Sequence, residues 1–228
     1  EWEEYHRIAD SAFPEMRDAV LIAIAKFQGE IVLKKVEEAL YQGDISAAES
    51  AIDWTKFAAQ FGALEEVIRK VLIKSGQKTA KHMAETLNIE ISFDIRNLAA
   101  EAWIKQNTGL LITQITEESR MAIRDIIRNA FENGGHPYQT AKKIKQYIGL
   151  TARDARAVEN FRRKLAVEGK LVGPDIDEKV NTYRDRCLRR RAENIARTET
   201  IKASNAGQQL AWDDAADKGL IDRTKMLK

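Results

Sequence analysis

The chain has 228 residues, 44% of them hydrophobic, with only 3 Pro and 12 Gly and a formal net charge of +2. That is enough apolar material for the core of one large or two small domains, with few breakers to interrupt long helices. It excludes a transmembrane helix, because the longest apolar run, Ala19 to Ala25, is far below the roughly 20 residues of a span, and no signal-peptide pattern is visible.

Helical spacing dominates the pattern. Pro14 suits a first helical turn, where its missing N–H is not needed. From there Ala19, Val20, Ile22, Ala23, Phe27, Ile31, Leu33, Val36 and Leu40 recur at helical steps, and Gly43 closes the segment. Ser46-Ala47-Ala48-Glu49 reads as a capping box opening a helix with Ile52, Trp54, Phe57 and Phe61 that ends near Gly62. A third helix runs from Leu64 to about Leu87, with Val67, Ile68, Val71, Leu72, Ala80 and Met83 inward and Gly76 as a weak point. Asn88 to Phe93 is the one alternating stretch, with Ile89, Ile91 and Phe93 on one side.

Asp94 is expected to cap a helix containing Ile95, Leu98, Ala99 and Trp103, broken at Asn107-Thr108-Gly109. A further helix follows Thr116, whose neighbours Glu117 and Glu118 suit a helix start. It carries Met121, Ile123, Ile126, Ile127, Ala130 and Phe131 and stops at Gly134-Gly135. Pro137 begins a short helix through Ala141, Ile144 and Ile148 to Gly149. Thr151-Ala152-Arg153-Asp154 resembles a capping box for a helix ending at Glu168 and Gly169. After a Gly173-Pro174-Asp175 loop, a last long helix starts near Asp177 and extends beyond Gly207. The expectation is a mainly α, elongated multi-helix protein with at most a short strand or extended connector near 88–93. That connector divides it into an N-terminal helical region, 1–88, and a C-terminal part, 94–228.

Charge is uneven. Residues 1–100 carry 12 basic and 17 acidic groups, whereas 142–202 carry 17 basic and 9 acidic. Such asymmetry points to an anionic partner for the C-terminal part, or to a solvated helix surface. Arg184, Arg186, Arg189, Arg190 and Arg191 on the last helix and Arg162, Arg163 and Lys164 on the one before it form a candidate phosphate-binding stripe. With no base-reading motif, contact with double-stranded DNA would be sequence-independent and salt-sensitive. Only Phe161 and Tyr183 lie nearby, too few aromatics for stacking on single-stranded bases.

On the last helix, Leu188, Ala192, Ile195, Glu199, Ala203, Ala206 and Leu210 share a face. Glu199 interrupts this apolar stripe and requires a partner from another segment, because Arg197, two positions away, points elsewhere. It is either half of a buried ion pair that fixes helix packing or a binding or catalytic carboxylate. Ala203, Ser204, Ala206 and Gly207 are small enough to let another segment approach closely. Arg189, Glu193 and Arg197, spaced i, i+4 and i+8, are placed for a ladder of surface ion pairs.

Local support for an enzyme is thin. There is no Walker A loop, GxGxxG, HExxH or GxSxG pattern, and no spacing nominates a triad. Cys187 is the single cysteine, which excludes an internal disulfide and a cysteine zinc site and fits a reducing compartment. His6, His82 and His136 are too scattered for a metal cluster. No catalytic, cofactor or metal residue is therefore assigned, and no cofactor is expected.

The string RAENIARTETIKASNAGQQLAW, from Arg191 to Trp212, combines two Arg and two Glu with more small residues than a packed helix needs. Its Arg191, Ala192, Ile195, Ala196, Arg197, Thr198, Glu199, Ala203, Asn205 and Gly207 resemble the R-A-x-x-I-A-R-T-E-x-x-x-A-x-N-x-G signature of phage minor head proteins of the Mu F type, the phage head morphogenesis family. Two weaker stretches accompany it. Ala102-Trp103-Ile104 through Leu110-Leu111-Ile112-Thr113 and Thr116 is similar to the segment opening that domain. Gly134-Gly135 with Tyr138-Gln139-Thr140-Ala141-Lys142-Lys143-Ile144 is similar to its turn and helix, with Tyr138 and Thr140 in place of small polar residues.

The resemblance covers about 95–220. In this family the pattern usually continues into a Trp-containing segment with Asp and His or Cys, which would begin near Lys228. It implies a low-copy, non-enzymatic minor capsid protein of a tailed phage or prophage. Such a protein binds the portal vertex inside the head, takes an oligomeric arrangement imposed by the portal, and aids head assembly and DNA packaging or delivery. The virion, and the host cytoplasm during assembly, are the implied locations, with 1–88 as the candidate portal-facing region. Two other readings stay open: a sequence-independent DNA-binding helical module, and the non-catalytic part of a larger enzyme or toxin fusion.

Overall fold

The computed structural model describes residues 2–94, 96–167 and 173–222. Among these the chain forms nine helices and no strand: α1 Trp2–Glu30, α2 Leu33–Tyr41, α3 Ile45–Ser50, α4 Trp54–Ala59, α5 Ala63–Leu87, α6 Leu98–Glu132, α7 Pro137–Tyr147, α8 Ala152–Val167 and α9 Pro174–Asp217. The protein is mainly α, and 88–94 is an irregular connector rather than a strand. Ile95 and the expected stop at Glu168 and Gly169 lie outside the described residues.

Side-chain caps set four of the nine helix starts among the described residues, and one of the four falls where it was expected. Asp44, not Ser46, caps α3 by accepting from the Ala47 N–H at 2.9 Å. Asp53 accepts from the Lys56 N–H at 3.0 Å and starts a separate α4, so the single helix expected over 46–62 is two. Asn97, not Asp94, caps α6 through the Ala100 N–H at 3.0 Å; Asp94 turns back onto the Arg96 N–H at 2.8 Å. Thr151 caps α8 through the Asp154 N–H at 3.1 Å, as its box predicts, but its hydroxyl also donates to the Asp154 carboxylate at 3.2 Å. Each cap satisfies an otherwise orphaned N–H and stabilises its helix by about 1 kcal/mol.

Four expected boundaries, on three helices, give way to longer helices. α1 runs through Pro14, although an interior proline costs about 3 kcal/mol and frees the carbonyl four residues back. Asp10 and Pro14 are both exposed, so water reaches that carbonyl, while Ala9, Ala12 and Met16 are buried on the opposite side. α6 continues through Asn107-Thr108-Gly109 and through Thr116. Ala100, Ile104, Thr108, Leu111, Ile115, Ala122, Ile123 and Ile127 bury one stripe along its whole length, and burial overrides local propensity. The Thr116 hydroxyl bonds back to the Ile112 carbonyl at 2.8 Å instead of capping anything. α9 begins at Pro174, in the first-turn position proline tolerates, rather than near Asp177.

The helix stops match their glycines. Gly43, Gly134 and Gly219 adopt φ of +72°, +63° and +71° after α2, α6 and α9. In each the following N–H reaches back across the turn: Asp44 to Ala39, Gly135 to Ala130 and Leu220 to Ala215. These are Schellman ends.

Packing divides the chain into two interleaved units rather than at 88–93: Glu1–Ala19 with Gly62–Leu110 and Glu193–Lys228, and Val20–Phe61 with Leu111–Ala192. The first unit is centred on α5, whose Leu64, Ile68, Leu72 and Met83 are fully buried. Its meeting with α9 is unusually close. A Cβ built on Gly207 would lie 2.1 Å from the Leu72 carbonyl oxygen, and Ser75 and Ser204 share a buried hydrogen bond of 2.9 Å. Gly76 receives the Phe93 ring, with ring carbons 2.6 Å from where its Cβ would be. At the rim, Lys78 pairs with Glu4 and Lys70 with Glu15, both at 2.8 Å, and Arg69 bridges Glu65 and Glu101.

The second unit is built on aromatic packing. Phe27, Phe57 and Phe61 are buried, with centroids 5.1 Å and 5.0 Å apart in edge-to-face geometry. α2 packs on α3 and α7. Gln28 donates to the Gln146 and Ile148 carbonyls at 3.3 and 2.9 Å, and Gly149, at φ +90°, lies against Ile24.

Two stability measurements follow. Gly207→Ala forces a methyl into backbone that cannot yield and lowers unfolding free energy by at least about 1–3 kcal/mol in urea. Gly109→Ala, with no atom within 4 Å of its Cβ, raises it by about 0.5–1 kcal/mol. For Glu101, the hydrogen bond from Arg69, more than its Coulombic pull, holds the carboxyl below its ordinary value against slight burial. A depressed folded-state value means this pair stabilises the fold above the ordinary carboxylate range, near pH 4.5, and stops doing so as pH falls through the folded value. The stability gap between the parent and Glu101→Gln therefore narrows from pH 7 to pH 3; a gap independent of pH refutes the pair.

Candidate functional site

Glu199 sits on the small-residue face of α9 and is 4% exposed. Its Oε2 accepts from Asn107 Nδ2 on α6 at 2.9 Å, and its Oε1 from Lys202 Nζ at 2.7 Å. The partner from another segment is thus a neutral carboxamide. The cation comes from α9 itself, three residues on, where the spacing favours pairing. The remaining lone pairs aside, the carboxylate is satisfied by two donors, so burial does not leave it bare. Arg197 lies instead over the Phe13 ring, 6.0 Å from its centroid. The expected Arg189–Glu193–Arg197 ladder does not form: no ion pair among the described residues links these three.

In the second unit the candidate stripe separates into distinct roles. Arg191 is 7% exposed and is not a surface cation. Its guanidinium donates to the Gly149 carbonyl, to the Ile115 carbonyl and Ser119 hydroxyl at 3.4 Å each, and to Glu118 Oε2 at 2.8 Å. Burial pulls its proton affinity down, opposed by Glu118; arginine stays charged regardless. Arg162 and Arg184 are tied down as well. Arg162 donates to Asp177 at 2.8 Å and carries a buried Nε with no partner, and Arg184 reaches Asp185 at 2.6 Å and Asn181 at 3.0 Å. Arg190 pairs with Asp154 at 2.7 Å yet remains 60% exposed. Arg163, Lys164, Arg186 and Arg189 are exposed. Of the eight candidates, these four and Arg190 are the ones exposed on the surface. Phe161 and Tyr183 face one another, with centroids 4.8 Å apart, and so are engaged.

A groove of about 430 Å³ opens in the same unit, formed by α6, α7 and α8. Ala122, Ile126, Ala130 and Ala155 supply apolar lining. Its polar lining includes Asn129, Asn133, Asn160, Thr140, Arg156 and Arg163. Two ion pairs cross it: Arg156 with Asp125 at 3.5 Å, and Lys143 with Glu159 at 2.7 Å. Tyr147 donates to Glu159 at 2.7 Å, and burial, then the Glu159 charge, hold its hydroxyl well above the ordinary phenol range. Tyr147 is therefore a fixed donor at neutral pH, not a proton carrier. Nothing in the sequence singled out this groove, whose residues come from three helices with no shared motif.

No grouping among the described residues brings together three His, Cys, Asp or Glu in a way that could hold a metal ion. Cys187 is buried, and burial pushes its thiol up, away from reactivity. No described helix is long and apolar enough to cross a membrane. Compared with known protein families, with curated proteins and with solved structures, the chain matches none of them.

Substitutions separate the buried polar groups from the surface ones. Arg191→Met strips two carbonyls, the buried Ser119 hydroxyl and the part-exposed Glu118 carboxylate of their donor and costs about 2–3 kcal/mol. Glu199→Gln loses one charge-assisted pair with the half-exposed Lys202 and costs about 1 kcal/mol. Arg189→Met stays within about 0.5 kcal/mol. Urea unfolding of the three variants checks this order, and a near-silent Arg191→Met overturns it.

Proposed function

We propose that this chain is a structural minor head protein of a tailed phage or prophage, of the Mu F type. It is held at the portal vertex inside the head and aids head assembly and DNA packaging or delivery. The observation that carries the reading is the pattern from Arg191 to Gly207. Six of its ten specified positions are packing requirements of α9: Arg191, Ala192, Ala196, Glu199 and Ala203 are buried and Gly207 abuts a backbone carbonyl, whereas Arg197, Thr198 and Asn205 are exposed. A pattern met mostly by packing supports a scaffold role over a reaction site. In this reading the protein is non-enzymatic, and its arrangement in the head follows the portal's symmetry.

A sequence-independent DNA-binding module is the second reading, favoured by exposed Arg163, Lys164, Arg186, Arg189 and Arg190. One experiment separates the two: co-expression of the intact chain with the portal protein encoded beside its gene, tagged co-purification, and mass determination. A complex of fixed stoichiometry is expected. A free monomer that instead binds duplex DNA with a steep salt slope, flattened in a variant with Arg163, Arg186 and Arg189 all replaced by Ala, replaces the head-protein reading with the second.

A further inference from the structure

We propose that the groove formed by α6, α7 and α8 is a docking site for an extended peptide segment of a partner protein, one that carries an acidic residue beside a small apolar one. The groove's chemistry matches that occupant part by part. An extended peptide exposes a donor and an acceptor at every residue, and a carboxamide supplies both in return. Three carboxamides, Asn129, Asn133 and Asn160, line the groove. Among the described residues only Asn133 of the three spends a side-chain donor, on the Asn129 carbonyl at 2.8 Å. Thr140 is 4% exposed, lines the groove, and its hydroxyl is bonded to no group among the described residues.

The charges select an acidic side chain. Arg163 is exposed and forms no ion pair among the described residues. Arg156 is 68% exposed and held only at 3.5 Å by Asp125, so an incoming carboxylate can engage it bidentately. In an extended segment residues i and i+2 share a side, which sets an apolar residue onto the alanine-lined part of the groove when the acidic one meets Arg163. A nucleic-acid backbone fits less well. Phosphates offer acceptors only, leaving the carboxamide oxygens without donors, and Asp125 and Glu159 repel a polyanion.

The docking site is independent of whether the partner is a portal. Its test is fluorescence anisotropy of the intact chain with fluorescein-labelled peptide pools of about eight residues, roughly 26 Å when extended. One pool has Glu fixed at the centre and Ala or Val two residues on; matched pools carry Gln or Lys in place of Glu, and a random-sequence DNA duplex is the fourth probe. The Glu pool binds, the Gln pool binds about tenfold more weakly, the loss expected for one charge-assisted bond, and the Lys pool does not bind. Arg163→Ala brings the Glu pool down to the Gln level with the melting midpoint unchanged, and Asn160→Ala weakens both pools. Absence of peptide binding at about millimolar concentration, equal binding of the Lys pool, or indifference to Arg163→Ala overturns the proposal. So does duplex binding that needs Arg163 and Asn160 where no peptide binds, which makes the groove a nucleic-acid surface.

Discussion

The first unit depends on how near two helix backbones can come at Gly207. With the Leu72 carbonyl where a side chain would begin, α5 and α9 meet main chain to main chain, and the residues on either side of the crossing must be small. Ser204 answers Ser75, and Ala203, Ala211 and Ala215 are fully buried. Close approach multiplies weak dispersion contacts, so a face of alanine, serine and glycine packs as firmly as one of leucine. The same geometry explains how a carboxylate is tolerated on this face. Glu199 lies along a helix whose neighbours are too short to crowd it, and Asn107 reaches it from α6.

The second unit solves a different problem, because its interior must accommodate a guanidinium. Burying Arg191 costs several kcal/mol of hydration, offset only if each donor finds an acceptor in the right place. The acceptors are main-chain oxygens at Gly149 and Ile115, the Ser119 hydroxyl and the Glu118 carboxylate. Gly149 itself needs the left-handed conformation at φ +90°. A single side chain therefore ties the end of α7 to α6 and α9, and it specifies their register in a way that interchangeable apolar contacts do not.

Turn glycines and Pro137 were legible in the sequence; side-chain caps were less so, with Asp44 and Asn97 taking the places assigned to Ser46 and Asp94, and groups that act across space were not. Gly43, Gly134, Gly149 and Pro137 announced their helix ends because positive φ and a missing N–H are properties of the residue itself. The inward positions of α5 followed from periodicity alone. Asn107-Thr108-Gly109 and Pro14 misled for the complementary reason: their local preference is to break a helix, and burial of the α6 stripe that includes Thr108, and of the α1 face opposite Pro14, outweighs it. Glu199 was readable as buried because an apolar stripe surrounds it. Arg191 was not, although it stands one position from Ala192 on the same stripe; five arginines in eight residues look like a surface until one of them is seen inside. Lys202, three residues after Glu199, was available to the eye, while Asn107, 92 residues away, was not.

Cys187 gives the molecule a built-in clock. It is the only thiol in the chain, it is 1% exposed, and it sits on α9 one turn before Arg191. A thiol reagent reaches it only when that stretch of helix lets go of its surroundings, so the labelling rate counts openings of the arginine-centred core rather than fraying elsewhere. Anything that grips the second unit slows that clock, whatever its identity, and whatever loosens the hold on Arg191 makes it run fast.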